Sequence, residues 1–188
     1  MTDNKAKNAG PMLVELDGQT WEQMIDRIET WFGNVLAAQG AFRRHVESTL
    51  EKIREPDTRD LLVDILDKAD QHERQAKELF ALIGREPPTG RKAAGALISG
   101  AQKALGKVEG VAGGATAGGW SDLRQCLLLN VDSMGAFAVA EQLGFALAMP
   151  EISKITFEVE NDKAKHQLVM QELVLETAAI NILYEEPA

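Results

Sequence analysis

The sequence contains very little cysteine, few aromatic residues and few β-branched runs. Cys126 is the only cysteine among 188 residues, which excludes an internal disulfide framework and a zinc site built from several thiolates. Aromatic residues make up only 5% of the chain. Alanine, leucine, glutamate, lysine and glutamine are abundant instead, and these residues favour helices.

Long apolar runs and clusters of positive charge are also missing. The longest apolar stretch, residues 134–149, is interrupted by Glu141 and Gln142 and is too short to span a bilayer. Residues 1–11 are polar and lack the apolar centre of a signal peptide. A net charge of -9 would repel nucleic acid and anionic membrane surfaces. We therefore expect a cytoplasmic protein that binds neither nucleic acid nor membrane.

Four stretches of the chain have apolar residues at the three- and four-residue spacing of amphipathic helices. Proline and glycine separate these stretches near positions 56, 84–88 and 150. The predicted helices run from Thr20 to the break at Glu55-Pro56-Asp57, from Asp57 or Thr58 to Gly84, from Ser121 to the residue before Pro150, and from about Glu151 to Leu183.

A long connection, residues 85–120, joins the second and third predicted helices. It contains a short amphipathic helix at about 92–108, followed by a tract rich in glycine and alanine at 106–119. The tract lacks the Gly-Lys-Ser/Thr ending of a phosphate-binding loop, so we interpret it as a linker.

Two helical hairpins joined by one long crossover is the connectivity of ferritin-like four-helix bundles. The sequence therefore predicts an all-α, ferritin-like four-helix bundle over residues 20–184, with its crossover at 85–120. Residues 1–19 are rich in Asn, Lys and Gly and predict a flexible N-terminal arm.

Three short segments resemble the YciE/YciF-like bacterial stress proteins of the ferritin-like superfamily. They are Glu78-Leu-Phe-Ala-Leu-Ile-Gly-Arg-Glu-Pro87, Gly95-Ala-Leu-Ile-Ser-Gly-Ala101 and Ala140-Glu-Gln-Leu-Gly144. The resemblance implies a four-helix bundle with a central metal site, and a role in the stress response.

Ferritin-like di-iron proteins place a Glu on each of two helices and a Glu-x-x-His on each of the other two. His72 and His166 occupy inward positions near the middle of the second and fourth predicted helices. Three residues earlier, where the family has Glu, this chain has Ala69 and Lys163. If Lys163 points inward, its own charge would occupy the position of a metal ion.

The first and third helices also lack the expected glutamate. Their middle positions offer only shorter or uncharged alternatives, namely Gln39, Asn130, Asp132 and Ser133. The nearest replacement carboxylates belong to Glu73, beside His72, and Asp162, four residues before His166. The candidate metal ligands are therefore His72, His166, Glu73 and Asp162.

Three interpretations of these residues remain open: a packed polar layer, a single transition-metal site for iron, manganese or zinc, and a working di-iron centre. We expect the packed layer, hence no cofactor and a non-enzymatic protein with an eroded di-iron site. The alternatives are a metal-binding storage or oxidase protein that uses His72 and His166, and an interaction module whose arm and crossover bind a protein partner.

Two further expectations concern packing. Trp21, Trp31, Phe32 and Trp120 are more large apolar groups than four helices normally bury, so we expect a homodimer that uses some of them. Glu141 and Glu158 could meet near the turn at about residue 150, although solvation or pairing with lysine would also satisfy them.

Overall fold

A computed structural model describes residues 17–88 and 119–184 of the chain. Four α-helices account for nearly all of these residues, and the described ranges contain no strand. The predicted all-helical class is therefore confirmed. Most of the predicted arm and crossover, at 1–16 and 89–118, lies outside the described residues. The helices are α1 (Gly18–Leu50), α2 (Pro56–Leu82), α3 (Gly119–Ala146) and α4 (Pro150–Tyr184).

Side chains that cap the first two helices move their starts from the predicted positions. Asp17 caps α1 by accepting hydrogen bonds from the Thr20 backbone N–H, at 2.9 Å, and from the Thr20 hydroxyl, at 2.8 Å. Thr20 therefore lies inside the first turn and is not the cap. Glu55 caps α2 by accepting from the first free N–H groups, and Pro56 stands in the first turn, where its missing N–H costs nothing.

Contacts between helices fix their relative directions. Gln39 of α1 contacts Ala69 of α2, and Arg59 near the start of α2 bonds the Leu50 carbonyl at the end of α1. These two helices are therefore antiparallel. Trp120, at the start of α3, bonds the Val174 carbonyl near the end of α4, so this pair is antiparallel too.

The contacts of α1 with α3 complete the arrangement. Trp31 donates to the Ala136 carbonyl at 3.1 Å, while the Thr49 hydroxyl lies 3.4 Å from Cys126 Sγ. Since α1 is antiparallel to both α2 and α3, the latter two are parallel. The segment between Pro88 and Gly119 therefore joins opposite ends of the bundle. Within the described residues, no helix combines the length and apolarity needed to cross a membrane.

The large aromatic side chains do not form the surface face that was expected for a homodimer. Phe32 is completely buried and packs edge-to-face against Phe80. The indole groups of Trp31 and Trp120 are partly buried and hydrogen-bonded to backbone carbonyls. Of these four side chains, only Trp21 is substantially exposed. Phe32 is therefore not available to a docking face, because the bundle core uses it, and the homodimer itself stays a prediction.

The apolar core is divided into two clusters, one toward each end of the bundle. The first contains Phe32, Phe80 and Phe137, and the second contains Phe42, Cys126 and Met170. The middle of the bundle, between them, carries polar side chains. These polar side chains lie at one level along the bundle axis.

Gly144 of α3 packs tightly against side chains at the start of α4. A Cβ added there would lie 2.7 Å from Ser153 Oγ and 3.0 Å from atoms of Ile152. We predict that Gly144→Ala lowers the free energy of unfolding by about 1–3 kcal/mol through overpacking. Gly135, on the same helix, has nothing within 4 Å of such a Cβ. Gly135→Ala should therefore stabilise by about 0.5–1 kcal/mol, and chemical denaturation of both variants checks the contrast. Equal effects would show that the α3–α4 approach is not tight.

Candidate functional site

A layer of buried polar side chains crosses the middle of the bundle, and each helix contributes to it. Gln39, Asn130, Ser133 and Lys163 are completely buried, and His72 is 1% exposed. Polar groups are rarely buried this fully unless they are hydrogen-bonded or serve a function. This layer is therefore the candidate site.

Hydrogen bonds connect three of the helices within the layer. Gln39 donates from Nε2 to the Ala69 carbonyl at 2.8 Å and accepts from the Ser133 hydroxyl at 2.9 Å. One side chain of α1 thereby links α2 and α3. Gln39 can reach both helices because it lies near the midpoint of α1 and points inward between the two apolar clusters.

Asn130 extends this network to the fourth helix. Its Nδ2 donates to the Lys163 carbonyl at 3.0 Å and to Gln167 Oε1 at 3.2 Å. The Asn130 Oδ1 atom makes no hydrogen bond to any group in the described part of the chain. The amide therefore joins α3 to α4 through its donor side only.

The structure brings His72 and His166 together across the α2–α4 boundary. Their ring centroids are 6.1 Å apart. His72 Nε2 lies 3.5 Å from Asp162 Oδ2. This distance is too long for a well-formed hydrogen bond, so we treat the contact as electrostatic only. Asp162 binds Lys68 more closely, at 3.0 Å.

Lys163 points inward, as the sequence allowed. Its Nζ lies 4.4 Å from the centroid of the Phe42 ring and 6.0 Å from that of Phe137. An ammonium group over an aromatic face gains a cation–π attraction. Among the described residues, no carboxylate or other acceptor hydrogen-bonds this Nζ. Burial lowers the pKa of Lys163 to about 7.

The two histidines are neutral at neutral pH. Burial, followed by the nearby charge of Lys163, lowers the pKa of His72 to about 3. The same two causes, in the same order, lower the pKa of His166 to about 4. Both imidazoles therefore keep a free lone pair for an incoming hydrogen-bond donor or metal ion.

Several polar atoms of the layer remain without a partner in the described part of the chain. They are both ring nitrogens of His72, Nδ1 of His166, Oδ1 of Asn130 and Nζ of Lys163. Each such atom costs about 1–3 kcal/mol of desolvation that no protein hydrogen bond offsets. The layer therefore offers a concentrated set of donors and acceptors that a small polar guest could satisfy.

The predicted carboxylate ligands divide into one near the histidines and one directed elsewhere. Asp162 lies at the edge of the layer. Glu73 instead pairs with Arg43 Nε at 3.0 Å and with Lys77 at 2.8 Å on the outer surface. No cluster of three or more His, Cys, Asp or Glu suited to a metal ion occurs in residues 17–88 and 119–184. Of the four predicted ligands, the imidazoles of His72 and His166 therefore remain in the layer, with the Asp162 carboxylate, which also pairs with Lys68, at its edge.

Three residues that interact with the candidate residues were not predicted from the sequence, namely Phe42, Gln167 and Glu160. Phe42 and Gln167 contact Lys163 and Asn130, and only their place on inward helix faces could have indicated this. Glu141 of α3 interacts with Glu160 of α4 and not with Glu158. Burial and the Glu141 carboxylate raise the pKa of Glu160 to about 7.

The two other nucleophilic or titratable candidates take no part in the layer. His45 Nε2 lies 3.1 Å from the Asp122 carbonyl, toward the far end of α1. Cys126 is buried, and this burial raises the pKa of its thiol to about 12. The thiol is therefore unreactive at neutral pH.

Comparison with known proteins gives no assignment. No protein-family model matches the chain, and no curated protein or solved structure matches it significantly. Functional inference therefore depends on the geometry of the layer itself.

Lys163→Met should raise the free energy of unfolding near pH 7, because it removes an unpaired buried amine and retains an unbranched chain. The expected gain is about 1–4 kcal/mol, the range found when buried charges are replaced by apolar groups. Because the pKa of Lys163 is lowered from 10.5 to about 7, wild-type stability should rise as pH increases across that interval. The advantage of the variant should therefore shrink toward pH 10.

Urea denaturation at several pH values measures this effect. Lys165→Met is the matched control, since Lys165 stands two residues away and its side chain is 75% exposed. The control should change stability by less than about 0.5 kcal/mol. A Lys163→Met protein that is less stable at every pH would contradict the argument.

Proposed function

We propose that this chain is a non-enzymatic, ferritin-like bundle protein in which a buried lysine has replaced the metal ions of an ancestral di-iron site. The observation that carries the proposal is the position of Lys163. It precedes His166 by three residues, where a di-iron protein has the Glu of Glu-x-x-His, and its side chain is completely buried.

The helix directions support the ferritin-like part of the proposal. Each helix is antiparallel to the neighbours with which it forms the polar contacts described above, and α2 is parallel to α3. This pattern needs one long crossover between the second and third helices, which is the connectivity of ferritin-like bundles. A simple up-down-up-down bundle would have α2 and α3 antiparallel.

The charge balance of the layer argues against two iron ions. A di-iron centre uses several carboxylates to neutralise its ions, whereas this layer has Asp162 alone at its edge. Asp162 is already paired with Lys68. The ammonium form of Lys163 would add a positive charge beside the metals. The donor set therefore does not fit a di-iron centre, and we derive no iron chemistry from it.

The resemblance of three short segments to bacterial stress proteins implies a role in the stress response. The polar layer provides no support for that role. We propose that the protein acts by binding another molecule and not by catalysis. The layer then serves to hold the bundle together. The interaction-module alternative depends on segments 1–16 and 89–118, which lie outside the described residues, so it stays a separate proposal.

A mononuclear metal site is the second candidate, because the imidazoles of His72 and His166 are close, neutral and free of protein hydrogen bonds in the described part of the chain. The two imidazoles would be the ligands to zinc, iron or manganese, and a third ligand would need Asp162 to leave Lys68 and move toward them. Lys163 opposes this candidate when it is charged, so affinity should increase strongly above neutral pH.

Metal analysis of purified, chelator-free protein tests both candidates. For the first, we expect wild-type protein to contain no stoichiometric metal and to bind no iron on titration. Ala69→Glu with Lys163→Glu restores both Glu-x-x-His pairs and tests whether these pairs are enough for iron binding, since α3 still lacks its glutamate. Ala69→Glu with Lys165→Glu is the matched control, since it places its second carboxylate on the surface. This control should bind none.

The outcomes separate the candidates. Two iron ions per wild-type chain would refute the replaced-metal proposal. One metal per chain that is lost in His72→Phe would support the mononuclear candidate instead. Wild-type protein without metal, whether or not the double variant gains iron, would rule out that candidate.

A further inference from the structure

The outer face of α4 carries a second apolar seam that the bundle does not use. Its members are spaced alternately by four and three residues, and none of them is charged. We call them the outer stripe: Phe157, Asn161, Ala164, Leu168, Gln171, Leu175, Ala178 and Ile182. All except Ala178, which is partly buried, are exposed.

The exposure of the large members is high for apolar side chains. Phe157 is 57% exposed, Leu168 69%, Leu175 65% and Ile182 61%. The bundle-facing side of the same helix is different: Ile152, Val159 and Met170 are completely buried. The helix α4 therefore has two seams, and only one of them has a partner among the described residues.

The spacing identifies the kind of partner. Apolar or small residues that alternate at four and three positions form the seam of a coiled coil, whose partner is another helix with the same repeat. From Phe157 to Ile182 the stripe extends about 38 Å along the helix axis. A globular ligand would not require this repeat over that length.

We propose that the outer stripe binds the same stripe of a second copy of this chain, with the two α4 helices antiparallel. In this arrangement the part of the stripe from Phe157 to Leu175 is complementary to itself about a point between Ala164 and Leu168, whereas Ala178 and Ile182 fall opposite Lys154 and Pro150. Phe157 then lies opposite Leu175 of the other copy. The small Ala164 lies opposite the large Leu168.

The polar members of the stripe also pair in this register. Asn161 lies opposite Gln171, and two amide side chains can satisfy each other inside a seam. A polar pair at such positions fixes the register and orientation of a coiled coil. Each of these pairs joins a residue at one of the two seam positions of the heptad to a residue at the other seam position. An antiparallel seam with two-fold symmetry requires this arrangement.

The available area fits a reversible dimer. An aromatic side chain buries about 150–250 Å², so Phe157 at 57% exposure still offers roughly 100 Å². The two leucines are similarly exposed, so Phe157, Leu168 and Leu175 together supply roughly 300 Å² of the roughly 800 Å² per partner that a standard interface buries. The remaining members and the flanks of α4 would have to supply the rest, so we expect an interface at the small end of the range, as found in weak, reversible complexes.

Sedimentation equilibrium of the full chain tests the proposal. Wild-type protein should be dimeric at tens of micromolar, as an order-of-magnitude expectation for such an interface. Leu168→Glu with Leu175→Glu should be monomeric, with unchanged helix content by circular dichroism. The control, Leu61→Glu with Val63→Glu, changes residues of α2 that are each 39% exposed. It should remain dimeric.

Disulfide trapping tests the register. Because the thiol of Cys126 is buried, introduced cysteines will react selectively. Mixing Ala164→Cys chains with Leu168→Cys chains should give mainly the mixed disulfide under mild oxidation. A parallel seam would instead favour disulfides between identical variants.

Three results would overturn the proposal. The first is a wild-type monomer at every accessible concentration. The second is a dimer that survives both glutamates on the stripe. The third is a monomer that loses thermal stability in Leu168→Glu with Leu175→Glu, because this would show that another segment of the same chain covers the stripe.

Discussion

Polar contacts link neighbouring helices of the bundle at a single level, and they divide the core into two apolar clusters. Gln39 joins α1 to both α2 and α3, Asn130 joins α3 to α4, and His72 faces Asp162 from α2 to α4. Apolar contacts tolerate sliding by a helical turn, whereas a buried hydrogen bond is lost if its partners shift. This ring of contacts therefore specifies the register in which the two clusters form.

Lys163 lies inside that ring, and its burial lowers the free energy of unfolding. A buried amine between two aromatic rings stabilises less than an apolar side chain of equal volume would. The depressed pKa values of His72 and His166 act in the same direction. Because the unfolded chain binds their protons more readily, stability is lost as pH falls below about 6.5, toward pH 3–4. The cost of burying Lys163 also falls as pH rises, from about 7 to the ordinary lysine value of 10.5, so the layer is least costly at the alkaline end of that interval.

Helical periodicity and midpoint geometry were enough to predict four helices and to bring His72 and His166 into one layer. They could not predict which way a residue at the edge of a helix stripe turns. Glu73 and Asp162 both border the inward face, but Arg43 and Lys77 draw Glu73 outward. Glu160 and not Glu158 interacts with Glu141, because residues two apart on a helix lie about 200° apart around its axis and only one of them can face α3. The caps were missed for a related reason, since Asp17 lies about one turn and Glu55 nearly two turns before the first apolar residue of each pattern.

The most direct test of this account is the pKa of Lys163, measured by NMR titration of the carbon and nitrogen resonances at the end of its side chain. Assignment is secured by comparison with the Lys163→Met protein. The account predicts a midpoint of about 7, because burial without a counterion disfavours the ammonium form. A midpoint near the ordinary value of 10.5 would show that Lys163 is solvated or paired, and would contradict the claim that it replaces a metal in the bundle core.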